Sequence, residues 1–101
     1  TKGCTGLVCY NDEIAFGLLK ILKEEGIRVP EDLSITSVDN TDLAVLGDVM
    51  LTSMPYPMEK LGECAAENLM KMIKNSGFDG NYEFPMQIVE RDSVKDLNRN
   101  K

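Results

Sequence analysis

Short apolar segments alternate with longer stretches of helical period along this chain, and that alternation restricts it to an α/β fold built on a parallel sheet. Thr5-Gly-Leu-Val-Cys-Tyr10 is brief and β-prone and reads as a buried strand. Asn11-Asp12-Glu13 supplies a helix cap and early acidic residues. Ile14, Leu18, Ile21 and Leu22 then recur at helical spacing, widened by Ala15 and Leu19. Gly26 suits the position just past the end of that helix. Leu33 to Val38 alternates apolar and small polar residues as a second strand, and Leu43 to Leu46 can make one helical turn. Leu51-Thr-Ser-Met54 reads as a third strand, stopped by Pro55. Pro57 opens a second long helix with a core face of Leu61, Ala65, Leu69 and Ile73, closed by Asn75-Ser76-Gly77. Phe84 to Glu90 is the last extended segment, before a polar tail from Lys95.

A length of 101 residues suits one small α/β unit, and the 43% hydrophobic content suits a globular chain. No apolar run approaches the length of a bilayer span, so no membrane role is expected. An opening at Thr1 rather than Met marks a processed, truncated or excised segment. The net charge of −6, with seventeen acidic residues against eleven scattered basic ones, argues against a nucleic-acid grip within this segment. Cys4, Cys9 and Cys64 form no C-x-x-C pair, which favours reduced thiols in the cytoplasm, serving mainly as small apolar packing residues.

Catalysis is poorly provided for. The chain has no histidine, so His-based relays and His-dependent zinc sites are excluded within it. It has no G-x-S-x-G, no phosphate loop and no G-x-G-x-x-G. Paired carboxylates remain an open route, but acids on helix surfaces are mostly just solvated. The reading is therefore of a protein that is not an enzyme and uses no cofactor and no metal.

The positive signal is one of position. Ligands of parallel α/β sheets sit beyond the carboxyl ends of the strands. Here those ends carry Tyr10-Asn11-Asp12, Asp39-Asn40-Thr41-Asp42 and Tyr56. Carboxylates and amides can bond adjacent hydroxyls, and a ring can cover the apolar face of a sugar. Each residue also has a plainer reading. Asn11 or Asp12 can simply cap the helix, Asp39 or Asn40 can make an Asx-turn, and Tyr56 can be a turn residue between prolines.

The strings themselves add to this. Val8-Cys-Tyr-Asn-Asp-Glu-Ile-Ala15 with Gly17-Leu18, then Glu25-Gly-Ile-Arg-Val-Pro-Glu-Asp-Leu-Ser-Ile35, then Val38-Asp-Asn40, resemble consecutive signatures of the LacI/GalR effector-binding domain. Leu51-Thr-Ser53, Leu61-Gly62 with Ala65-Ala66, and Val89-Glu-Arg-Asp-Ser93 continue the resemblance in the same order. It implies a bilobed, periplasmic-binding-protein-like sensor fold, of which this chain is the C-terminal portion. Residues 5–50 would belong to the C-terminal lobe, 51–57 would cross over and 58–84 would pack in the N-terminal lobe. Residues 85–94 would return as a strand, with 95–101 as a tail. A segment so divided is expected to fold stably only with the sequence upstream.

The same resemblance implies site residues and partners. Asn11 and Asp39 would contact sugar hydroxyls, and Tyr56 and Met58 would face the ligand from the crossover. Phe16, Lys20, Leu43 and Leu46 would lie on a homodimer surface, although core packing serves Leu43 equally well. Tyr10 and Val38 depart from the residue types usual in the family. The wording around Asn11, with Asp-Leu-Ala-Val and Leu-Thr-Ser, is similar to arabinose-responsive repressors that carry a GntR-like DNA-binding head. The function implied is that of a cytoplasmic bacterial repressor in which a sugar, L-arabinose favoured, alters operator affinity through a separate domain. A secreted sugar-binding protein of a transporter is the alternative.

Overall fold

The computed structural model describes residues 3–98. Its elements are β1 (Gly6–Val8), α1 (Asp12–Glu24), β2 (Ser34–Asp39), α2 (Leu43–Leu46), β3 (Thr52–Pro55) and α3 (Met58–Lys74). The three strands make one sheet in the order β1-β2-β3, and both neighbouring pairs are parallel. Leu7 lies opposite Ile35, Ser37 opposite Ser53 and Asp39 opposite Pro55. The carboxyl ends of all three strands therefore meet along one edge.

Local chemistry sets the bounds of α1. The Asn11 Oδ1 accepts from the Ile14 amide at 2.9 Å, satisfying one of the unpaired donors of the first turn. At the other end Gly26 takes φ +75°, a conformation that a Cβ disfavours. Its amide donates to the Lys23 carbonyl, and the Ile27 amide reaches back to the Leu22 carbonyl. This crossed pair closes the helix.

The core lies between α1, α2 and the sheet. Ala15, Ile35, Ala44 and Leu51 are fully buried, joined by Cys9, Leu22 and Val29 and flanked by Leu18, Leu19, Leu33 and Val49. Burying Ile35 or Leu51 contributes roughly 1.5–3 kcal/mol each. Ala15, Leu18, Leu19 and Leu22 supply the inward stripe of α1. Ile14 and Ile21, expected in that stripe, are exposed. Each precedes a buried residue, and one residue is a rotation of about 100° around a helix.

Several expectations are corrected. β1 is not a buried strand, because Gly6, Leu7 and Val8 are all exposed. β1 is the edge of the sheet, and no strand among the described residues pairs with its outer side. Cys9 packs in the core as expected, but Cys4 is exposed; all three cysteines are free thiols.

The helix α3 buries none of its residues, and Ala65, Leu69 and Ile73 of the expected core face are exposed. The chain is accordingly elongated, 58 × 28 × 22 Å, with a radius of gyration of 18.3 Å. A closed domain of this length has a radius near 13 Å, so the apolar face of α3 lacks the layer that such a face requires. Only a short following segment lies along it. The Asn68 side-chain amide donates to the Gly80 carbonyl at 3.0 Å, the Lys71 ammonium sits 5.5 Å from the centre of the Phe78 ring, and Tyr82 meets Phe84 edge to face.

The strand expected over Phe84 to Glu90 does not form; the segment touches the sheet through one antiparallel bridge, Ser53 to Val89. Pro85 cannot donate to a ladder. Beyond the bridge, backbone bonds from the Asp92 amide to the Met50 carbonyl and from the Ile35 amide to the Ser93 carbonyl are interleaved with bonds to side-chain hydroxyls. The Arg91 amide donates to the Thr52 Oγ1 at 2.9 Å, and the Lys95 amide to the Ser34 Oγ at 3.0 Å.

Candidate functional site at the carboxyl edge of the sheet

Asn11, Asp39 and Tyr56 follow or end β1, β2 and β3 respectively, so the parallel register gathers them on one rim. Met58 begins α3 two residues beyond Tyr56, and its amide closes a turn on the Tyr56 carbonyl at 2.9 Å. Asn11 and Asp39 are half-buried, whereas Tyr56 and Met58 are exposed. Asn11 and Asp39 are thus set into the rim, and Tyr56 and Met58 stand exposed where β3 passes into α3.

Asn11 serves two readings at once. Its Oδ1 caps α1, while no hydrogen bond among the described residues occupies its amide nitrogen. Capping fixes the side chain and leaves a donor free. Asp39 and Asn40 both adopt positive φ, +107° and +54°. Non-glycine residues take such values at a cost of order 1–3 kcal/mol, and they persist only where surrounding structure holds them. The Asp39 carboxylate accepts no hydrogen bond from the described residues, which leaves it available as an acceptor.

What holds this edge is a residue whose role sequence reasoning missed. Asp12 is fully buried and acts as far more than an early acidic helix residue. Its Oδ1 accepts from the Ser37 hydroxyl at 2.5 Å and the Ser53 hydroxyl at 2.7 Å. Its Oδ2 accepts from the Thr41 amide at 2.5 Å and the Thr41 hydroxyl at 3.0 Å. One carboxylate thus joins the start of α1, the interiors of β2 and β3, and the loop after Asp39. Burial pushes its pKa up, but the hydrogen bonds from Ser37, Ser53 and Thr41 outweigh that and hold it below the usual Asp value. The available signal was small polar residues, Ser37 and Ser53, inside strands that otherwise read as core.

A second support comes from the last segment. The Arg91 guanidinium donates to the Leu51 carbonyl at 2.7 Å and to the Asn40 Oδ1 at 2.6 Å. The Asn40 amide donates to the Ser53 Oγ at 3.0 Å. Ser93, fully buried, accepts from the Thr52 amide at 2.8 Å and donates to the Ile35 carbonyl. The segment beyond Val89 is thereby stitched across β2 and β3.

Of the residues expected on a dimer surface, Phe16, Lys20 and Leu46 line one groove of about 620 Å³ between α1, the loop after it and the loop after α2. Leu19, Ile27 and Val49 give that groove apolar walls, and Lys23 and Asp48 pair across it. Leu43 is half-buried and does not line it. The groove lies on the helical face, and neither Asn11 nor Asp39 lines it. Among the described residues no cluster of acidic or cysteine side chains is arranged to hold a metal ion, and no helix is long and apolar enough to cross a membrane.

Comparison with known proteins gives this geometry its context. The model of the periplasmic binding protein-like domain matches residues 2–94. The HTH-type transcriptional repressor PurR of Vibrio cholerae is 39% identical over 97% of this chain, and the arabinose metabolism transcriptional repressor of Geobacillus stearothermophilus is 36% identical over 92%. The chain spans 30% of the length of the first and 26% of the second. Among solved structures, a LacI-family transcriptional regulator of Enterococcus faecalis with bound ribose superposes with a TM-score of 0.74 at 37% identity, over 93% of this chain and 35% of that one. The lac repressor dimer bound to operator superposes with a TM-score of 0.80 at 26% identity, over 89% of this chain and 32% of that one. The family match spans the three parallel strands, their polar carboxyl edge, the Asn-Asp helix start and the stitched last segment, and the chain belongs to the periplasmic-binding-protein-like domain family, within its LacI/GalR-type effector-binding domains.

Proposed function

We propose that this chain is the effector-contacting and dimer-forming part of a bacterial transcriptional repressor, acting in the cytoplasm and reading operator DNA through a separate domain. The observation that carries the reading is the rim itself. A free amide donor on Asn11 and an unengaged carboxylate on Asp39 stand at the ends of adjacent parallel strands, beside Tyr56 and Met58. That set suits the alternating donors and acceptors of a polyol and the apolar face of its ring. The repressor names of the relatives favour this role over a transporter component. A pentose is the effector class we favour, supported by a relative named for arabinose metabolism and a related regulator holding ribose. L-Arabinose is the pentose the sequence wording favours.

Repression by such a domain needs two states of different effector affinity, and typical couplings are roughly 1–3 kcal/mol. Sugar seated on the rim would favour the closed arrangement of two lobes and so change how a dimer presents its DNA-binding heads. The Phe16, Lys20 and Leu46 groove is the surface proposed for the second copy. Asp39→Ala in the full-length protein is expected to abolish the thermal shift caused by L-arabinose while leaving operator binding intact. An unchanged shift in that variant removes Asp39 from the site. A wild-type shift with another sugar only, or with a purine only, retires arabinose.

A further inference from the structure

We propose that Arg91 is a positioning residue for effector recognition: its guanidinium locks Asn40 and thereby holds the left-handed Asp39–Asn40 pair that presents the Asp39 carboxylate on the rim. This rests on the reading of Asp39 as an effector contact.

The argument begins with the backbone. Two consecutive non-glycine residues at φ +107° and +54° relax unless they are tied on more than one side. Asn40 tolerates its value better than most residues, because Asn enters the left-handed region more readily. Asp39, with the larger departure, depends on its neighbours. Three ties surround it. Val38 and Asp39 are held in register against Met54 and Pro55 of β3. The amides of Asn40 and Thr41 are captured by the Ser53 Oγ and by Asp12. The third tie is the Asn40 side chain, and the partner of its oxygen is Arg91, 51 residues away in sequence.

Arg91 is itself well placed to act as a fixed point. One arm of the guanidinium is taken by the Leu51 carbonyl at the base of β3, and its backbone amide by the Thr52 Oγ1. The planar fork therefore reaches the Asn40 oxygen at 2.6 Å from a residue already anchored twice, and it donates from a charged group. Arg91 also sits where the last segment meets β3, so the rim is tied to both stretches of chain that flank the excursion through α3. A shift of the last segment relative to β3 would reach Asn40, and so its neighbour Asp39, through this side chain.

Arg91→Gln removes the charged fork, and Asn40→Gly removes its acceptor while leaving the left-handed backbone unstrained. In full-length protein without sugar, Arg91→Gln is expected to speed hydrogen exchange of the Asn40 and Thr41 amides about tenfold or more, with Ile35 in mid-strand little changed. L-Arabinose and D-ribose titrated by calorimetry are expected to bind Arg91→Gln about tenfold or more weakly than wild type. Arg91→Lys, which retains the charge but not the planar fork, is expected to recover part of that loss. In the Asn40→Gly background Arg91→Gln should cause little further loss. Ser93→Ala, which weakens the same segment without touching Asn40, is the control for a purely structural effect.

Unchanged exchange at Asn40 and Thr41 in Arg91→Gln overturns the proposal whatever the sugars do. Equal losses on Arg91→Gln in the wild-type and Asn40→Gly backgrounds also overturn it, since Arg91 would then act only as glue at Leu51. If neither sugar binds wild-type protein, the pentose reading fails, while the exchange result still decides whether Arg91 holds the pair.

Discussion

Asp12→Asn is the substitution that most directly tests how this edge is built. The carboxylate takes four donors, two on each oxygen. Asparagine offers one oxygen and one NH2 of nearly the same shape. The Thr41 amide can only donate, so the asparagine oxygen must stay on its side and the NH2 must face Ser37 and Ser53. Those hydroxyls must then turn and accept, Ser53 through the lone pair left by the Asn40 amide, and their protons lose the acceptor that Asp12 supplied. Bonds to a charged group are worth about 1.5–3 kcal/mol and those to a neutral one about 1, so weakening the Thr41 pair and removing the acceptor of the Ser37 and Ser53 hydroxyl protons costs about 2–3 kcal/mol. The assay is hydrogen exchange at the buried Ile35 amide in full-length protein, read as an opening free energy.

The same substitution has a pH signature. The folded pKa of Asp12 lies below the usual value of 3.8, so its stabilisation is complete above that value and is lost as pH falls through the folded pKa. Protonated Asp12 is nearly isosteric with asparagine. The difference between wild type and variant should therefore shrink across that acidic window and be constant near neutrality. Equal exchange of the two proteins at pH 7 would refute the account, as would a deficit that persists undiminished in acid.

Other expectations follow from single contacts. Ser93→Ala leaves the buried Thr52 amide without its acceptor and should cost about 1–3 kcal/mol by the same exchange measurement, without altering sugar affinity. Asp32 accepts from both the Arg28 side chain and the Arg28 amide, which lower its pKa to about 2; a carbon-detected NMR titration should show this, and Arg28→Gln should return it toward 3.8. The ion-paired form of Asp32 thus persists until pH falls to about 2. Leu46→Glu places a charge on the exposed apolar lip of the groove, and sedimentation of the full-length protein should show a dimer weakened by about tenfold or more if that lip is the interface. Unchanged association would move the interface elsewhere.

What the sequence determined by itself is what local chemistry decides. The bounds of α1 follow from Asn11 and Gly26 because a cap and a left-handed terminus involve residues within a few positions of each other. The parallel order of strands follows from their alternation with helices, and the rim of Asn11, Asp39 and Tyr56 follows from that order. Tertiary structure alone decided the rest. The bonds of Asp12 span 25 to 41 residues, and the Arg91–Asn40 bond spans 51, so neither leaves a local trace. Burial is likewise a property of neighbours: β1 and the apolar face of α3 have the composition of buried elements yet stand exposed. Hydrophobic period tells which face of an element seeks cover, and only the packed chain tells whether it finds any.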